Sequence, residues 1–196
     1  MLRKFVGDLG KYLPSYIIPG IVGLIAIPII TRLFPPEDYG DYALVMAGIS
    51  ILTVIAANWI AASVIRFFSA CQLDNRLEKF YGTTVKLALL SVGIIFLVGL
   101  GALFLTQNHI SSNLFFLMCI GLLVFIATSF YSIVLNILRA GRKVNWYSSF
   151  MIWHSVIGLS LGVVLVICFH CGVEGLLWGS LLSMVVAFPL AWKVAV

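Results

Sequence analysis

A chain of 196 residues that is 62% hydrophobic and 10% charged has too little polar surface to coat a soluble globule of its size. Its formal net charge of +5 does not mark a nucleic-acid binder, because the cations sit in the gaps between six apolar stretches. There they fix topology and meet anionic lipid headgroups.

In chain order the stretches cover about 13–31, 42–65, 87–106, 114–138, 150–169 and 176–192, each near or above the ~17–25 residues that cross a bilayer as a helix. The opening Met1–Pro14 resembles the charged region of a signal peptide. The apolar run behind it has no small-x-small cleavage site before the next charges, so a retained first helix is expected. That helix holds Pro14, Pro19 and Pro28 with Gly20 and Gly23. Prolines free backbone carbonyls, which suggests a first helix that bends at Pro19 and Pro28, with a static kink as the alternative.

In the first gap, Pro35 and Pro36 stop the helix, while Glu37 and Asp38 suit the first turn of the next. A tight turn between adjacent antiparallel helices is expected there. The second gap, Arg66 to Lys86, mixes charge with Phe67, Phe68, Leu77, Phe80 and Tyr81. It suits either a short interfacial helix or helix ends that project from the membrane. Later spans carry small residues in rows: Gly158 and Gly162 in the fifth, and Gly175, Gly179, Ser183 and Ala187 in the sixth. Such rows let helix backbones approach closely in lipid.

Lys and Arg are segregated onto alternate gaps. Eleven of the twelve fall on the N-terminal arm, the second and fourth gaps and the C-terminal end, leaving only Arg32 opposite. Positive charge marks the cytoplasmic side, so both termini are expected there. The reading is an all-α integral membrane six-helix bundle, N-in and C-in, forming a single transmembrane domain over residues 1–196.

Catalytic chemistry finds little support. Cys168 and Cys171 have C-x-x-C spacing, but no second cluster on that side completes a zinc site, so no metal is expected. Gly158 to Gly162 matches G-x-S-x-G without the strand-turn-helix of a hydrolase elbow. His154 is on the same helix as Ser160, on the opposite face, so no histidine is placed to activate that serine. All seven acids lie in the arm or the gaps, and no phosphate-cradling glycine loop is present. Neither an enzyme nor a cofactor is expected.

Three polar stripes remain. Ser129, Ser132, Asn136 and Arg139 share one face of the fourth helix, within about 80° at 100° per residue. Trp59, Ser63 and Arg66 repeat the pattern on the second helix, flanked by Asn58, and Tyr12, Ser15 and Tyr16 join Pro19 on the first. All gather at the basic ends. An inward-open cavity with arginines at its mouth suits an anionic ligand, since guanidinium pairs phosphate through two parallel hydrogen bonds. The competing reading is that Arg66 and Arg139 only snorkel and set topology.

The first helix followed by Arg32-Leu-Phe-Pro-Pro-Glu-Asp-Tyr-Gly-Asp-Tyr-Ala-Leu resembles the opening of bacterial polysaccharide flippases. These are the O-antigen and exopolysaccharide repeat-unit translocases of the multidrug/oligosaccharidyl-lipid/polysaccharide exporter superfamily. Val64-Ile-Arg-Phe-Phe68, Leu138-Arg-Ala-Gly-Arg-Lys143 and Gly172-Val-Glu-Gly-Leu-Leu-Trp-Gly-Ser180 fit the same family, and the similarity covers nearly the whole chain. The resemblance implies two six-helix lobes around a central cavity in the bacterial cytoplasmic membrane. Alternating access would move an undecaprenyl-pyrophosphate-linked glycan between leaflets. This chain ends after six spans, so the expectation is the N-terminal lobe, truncated or split, working with a second copy or a separate C-terminal lobe. The alternatives are a lobe of a cation-coupled exporter of small molecules and a non-transporting membrane fragment.

Overall fold

The computed structural model describes the backbone of residues 2–195 and the side chains of residues 13–195. The order is α1 (Leu2–Leu33), α2 (Pro36–Thr53), a π-helical turn (Val54–Asn58), α3 (Trp59–Leu73), α4 (Leu77–Thr106), a 3-10 turn (Gln107–His109), α5 (Ser112–Ala140), α6 (Val144–Phe169) and α7 (Glu174–Ala195). No strand occurs among the described residues. The segment α2–π–α3 is continuous, giving six helices long and apolar enough to cross a membrane. The expected six-span, all-helical architecture is present.

The helices outrun the hydrophobic stretches that announce them. Pro36–Leu73 has 38 residues, about 57 Å at 1.5 Å per residue against a hydrocarbon core of about 30 Å. The excess resolves the second gap: its residues are projecting helix ends, and the interfacial helix is not formed. Phe68 and Phe80 meet edge to face at 6.0 Å across this hairpin. The turn closes with Asn75 in the left-handed region (φ 53) while the Arg76 N–H donates to the Cys71 carbonyl at 2.9 Å. Arg142 (φ 54) and His170 (φ 55) end α5 and α6 in the same way. This cap turns the chain within a few residues and satisfies carbonyls the helix end would orphan.

The first turn also forms as its prolines dictate, with Pro35 extended, Pro36 opening α2, and Glu37 and Asp38 in its first turn. The helices it joins do not stay together, however. α1 packs mainly on α6 and touches α2 only slightly, so the expected antiparallel pair is open. The stripe Ser15, Ile18, Pro19, Val22, Ala26, Ile29 and Ile30 is the more buried face of α1.

α5 is the hub, contacting α2, α3, α4 and α7. Buried residues on every side of it, including Phe125, Val134 and Leu138, leave it little exposed surface. The tightest interface is α6 against α7. A Cβ on Gly179 would collide with the backbone N and Cα of Gly162, and with the Gly158 carbonyl oxygen at 2.8 Å. The glycine rows therefore face one another, and their absent side chains are what allow the backbones to touch.

Folding carries the charge segregation into three dimensions. At one end the Lys143 Nζ donates to the Val194 carbonyl at 2.6 Å, and the Tyr81 hydroxyl to the Ala195 carbonyl at 3.4 Å. This gathers the α3–α4 turn, the α5–α6 turn and the C-terminal end. The opposite end holds a recess of about 220 Å³ lined by Asp38, Asp41, Asn113 and Glu174, among others.

Candidate functional site

α2 and α5 run in the same direction, and Gly121 of α5 lies against Val45 and Ile49 of α2. Toward the basic end the Phe68 ring comes within 3.5 Å of where a Gly141 Cβ would stand. Arg66 and Arg139 each precede these contacts by two residues, so they lie at matching depth on neighbouring helices. Both are exposed, and among the described residues neither forms an ion pair. The Arg66 guanidinium lies over the Phe67 ring, 5.4 Å from its centroid. That contact screens the cation lightly and leaves its hydrogen-bond donors free. The two arginines therefore form a basic rim at one end of the bundle.

Above the rim, polar groups are bonded mostly to their own helices. The Ser132 Oγ donates to the Ser129 carbonyl at 2.9 Å, and the Asn136 Nδ2 to the Ser132 carbonyl at 2.8 Å. Both residues are half-buried, and the Asn136 Oδ1 has no partner among the described residues. Ser63 bonds back to the Trp59 carbonyl at 2.9 Å, and Asn58 is exposed. Intrahelical bonds of this kind satisfy a hydroxyl donor while its oxygen stays available to accept.

Three residues of the expected stripes lie elsewhere. Ser129 is fully buried, with its Oγ unpartnered among the described residues. Enclosed by the core around α5, it cannot present to a ligand. Ser15 is likewise fully buried, on the α1 face that meets α6. Tyr16, one residue round the helix, is 55% exposed, but α1 does not bring it to α3 or α5. Tyr12 lies outside the described side chains. Pro19 and Pro28 sit within a continuous helix, Pro19 half-buried and Pro28 exposed.

A polar cluster that sequence reasoning missed links α6 to α7. The His154 Nδ1 is 2.8 Å from the Ser183 Oγ, the Ser183 hydroxyl is 2.7 Å from the Ser180 carbonyl, and the Trp153 indole donates to the Ser183 carbonyl at 3.2 Å. The facing rows were the available signal. His154, Gly158 and Gly162 are spaced by four, as are Gly175, Gly179 and Ser183, and antiparallel pairing sets His154 opposite Ser183. Ser160 of the G-x-S-x-G pattern is exposed, and His154 does not face it. Ser183 is fully buried, so this pair ties helices together with no route for a substrate to its hydroxyl. Cys168 and Cys171 are free, and no group of three metal-ligating side chains occurs among the described residues.

These features define a multi-pass helical membrane protein with a basic rim at one end. The match to known families is specific: the polysaccharide biosynthesis protein model covers residues 9–196, and the chain belongs to that family. No curated protein and no solved structure matches it.

Proposed function

We propose that this chain takes part in flipping undecaprenyl-pyrophosphate-linked oligosaccharide repeat units across the bacterial cytoplasmic membrane. The observation that carries the reading is the basic rim, with Arg66 and Arg139 level, exposed and free of carboxylate partners among the described residues. A pyrophosphate needs paired, forked donors, and guanidinium supplies them in the geometry phosphate oxygens prefer. The basic end is cytoplasmic by the positive-inside rule, which is the side where the glycan carrier would be loaded. Asn58, Ser63, Ser132 and Asn136 continue polarity from the rim into the span, where sugar hydroxyls need partners. Membership of the polysaccharide biosynthesis family agrees with this chemistry. A cation-coupled exporter would want a carboxylate at mid-depth, and the acids of the described spans lie near their ends.

The test keeps charge and removes geometry. In cells whose surface polysaccharide depends on this chain, Arg66→Lys and Arg139→Lys should insert normally and each lower surface polysaccharide several-fold. The double variant should reduce it at least about tenfold, as expected when two bidentate contacts of roughly 1 kcal/mol are lost. Full surface polysaccharide in the double variant would return both arginines to topology alone.

A further inference from the structure

The polar face of the second span exists because of one extra residue. At 100° per residue, an uninterrupted α-helix puts buried Val45, Ile49 and Ala56 on one arc, and buried Ala57, Ile60, Ala61, Val64 and Phe68 on another centred about 95° further round. That angle is close to the turn of a single residue. The π-helical turn at Val54–Asn58 lies between the two arcs and absorbs it. Without it, Ser63 would fall on the buried arc and Arg66 about 80° from its centre. With it, Arg66 and Trp59 point about 170° away from the buried arc of α3, and both are exposed.

A π turn interrupts the regular ladder of backbone bonds, and here a carbonyl inside the turn accepts from another helix. The Ser91 Oγ, on α4, donates to the Ala56 carbonyl at 2.8 Å across the packed interface. Ala56 and Ala57 are fully buried, so water cannot replace this bond. The turn packs against both α4 and α5. Ser91 is outside every polar stripe noted in the sequence.

We infer that Ser91 is a positioning residue: by holding the Ala56 carbonyl it fixes the π turn and thereby the angular register of Trp59, Ser63 and Arg66. Its consequence for transport rests on the proposed function, but its consequence for geometry does not. The two can be measured separately.

The geometric test is a cysteine scan in a cysteine-free background, using Ser63→Cys, Val64→Cys, Phe67→Cys and Phe68→Cys labelled with a maleimide in inverted membrane vesicles. In the parent, positions 64 and 68 should be protected and 63 and 67 reactive. Adding Ser91→Ala should raise labelling at 64 and 68 several-fold, as α3 samples the register without the π turn. Ser91→Thr, which keeps the hydroxyl, should restore protection. An unchanged pattern in Ser91→Ala overturns the inference whatever happens to transport, and so does a pattern that Ser91→Thr fails to restore. Surface polysaccharide is then measured in the same variants. A shifted pattern with a several-fold loss that Ser91→Thr recovers supports both proposals. A shifted pattern with full surface polysaccharide leaves the positioning role standing and counts against the α3 face as the substrate surface.

Discussion

Single residues decide the closest approach in this molecule. A methyl on Gly179 would occupy the space of the Gly162 backbone, whereas one on Gly20 would meet nothing within 4 Å. Gly179→Ala should therefore force α6 and α7 apart and destabilise the fold by about 1–3 kcal/mol, the usual range for overpacking. Gly20→Ala should be neutral or slightly stabilising. Thermal unfolding in detergent compares the two, and equal melting temperatures would show that the glycine rows do not set the interface. The rows themselves were legible in the sequence as repeated small residues, but that they face one another was not. The His154–Ser183 bond was not read, although it follows from the same rows once they are paired as antiparallel neighbours. Hydropathy makes a histidine conspicuous in a span but does not state which helix it turns toward.

At the scale of elements, the number and placement of helices followed from apolar length, but their ends did not. Hydropathy registers the lipid-facing part of a helix and falls silent where the same helix continues into water, as α3 and α4 do beyond Arg66. The π turn was hidden for a different reason. Val45, Ile49, Val54, Ile55, Ile60, Val64 and Ile65 supply apolar residues on every side, so a 100° break in the buried arc leaves no contrast to detect. The prolines of α1 were visible, and the structure shows them within one continuous helix. Pro28 removes the N–H that would bond the Leu24 carbonyl, and it is exposed, so no close neighbour holds that point of the helix straight. The proposal that α1 bends there predicts that Pro28→Ala raises the melting temperature while lowering surface polysaccharide. Unaltered export with higher stability would make the proline a static feature.

For the whole molecule, the charge pattern foretold the two ends, and the bundle brings them together as expected from alternating loops. The arrangement of helices could not be read from that pattern. That α1 would lean on α6 and part from α2 depends on which faces pack, and near-uniform apolarity conceals it. The result is a bundle with Asn58, Trp59 and Arg66 exposed along the second span and Tyr16 exposed on α1. Polar groups at membrane depth are costly without partners or water, so a face carrying Asn58 should not remain against lipid. We propose that an opposing wall, a C-terminal six-helix lobe, covers it and encloses the water that these groups require. The expected outcome is that the 196-residue chain expressed by itself fails to restore surface polysaccharide in a strain lacking its flippase. Restoration should require a six-helix C-terminal lobe supplied as a fusion or in trans, and mild detergent should then extract the two lobes together. The polar face also gives the pairing a signature of its own. Asn58→Cys should react with an aqueous maleimide in the paired complex, and that labelling should be blocked from one side of the membrane at a time. Restoration by the chain without a second lobe would overturn the account in favour of a homodimer, in which Asn58→Cys should cross-link to a second copy.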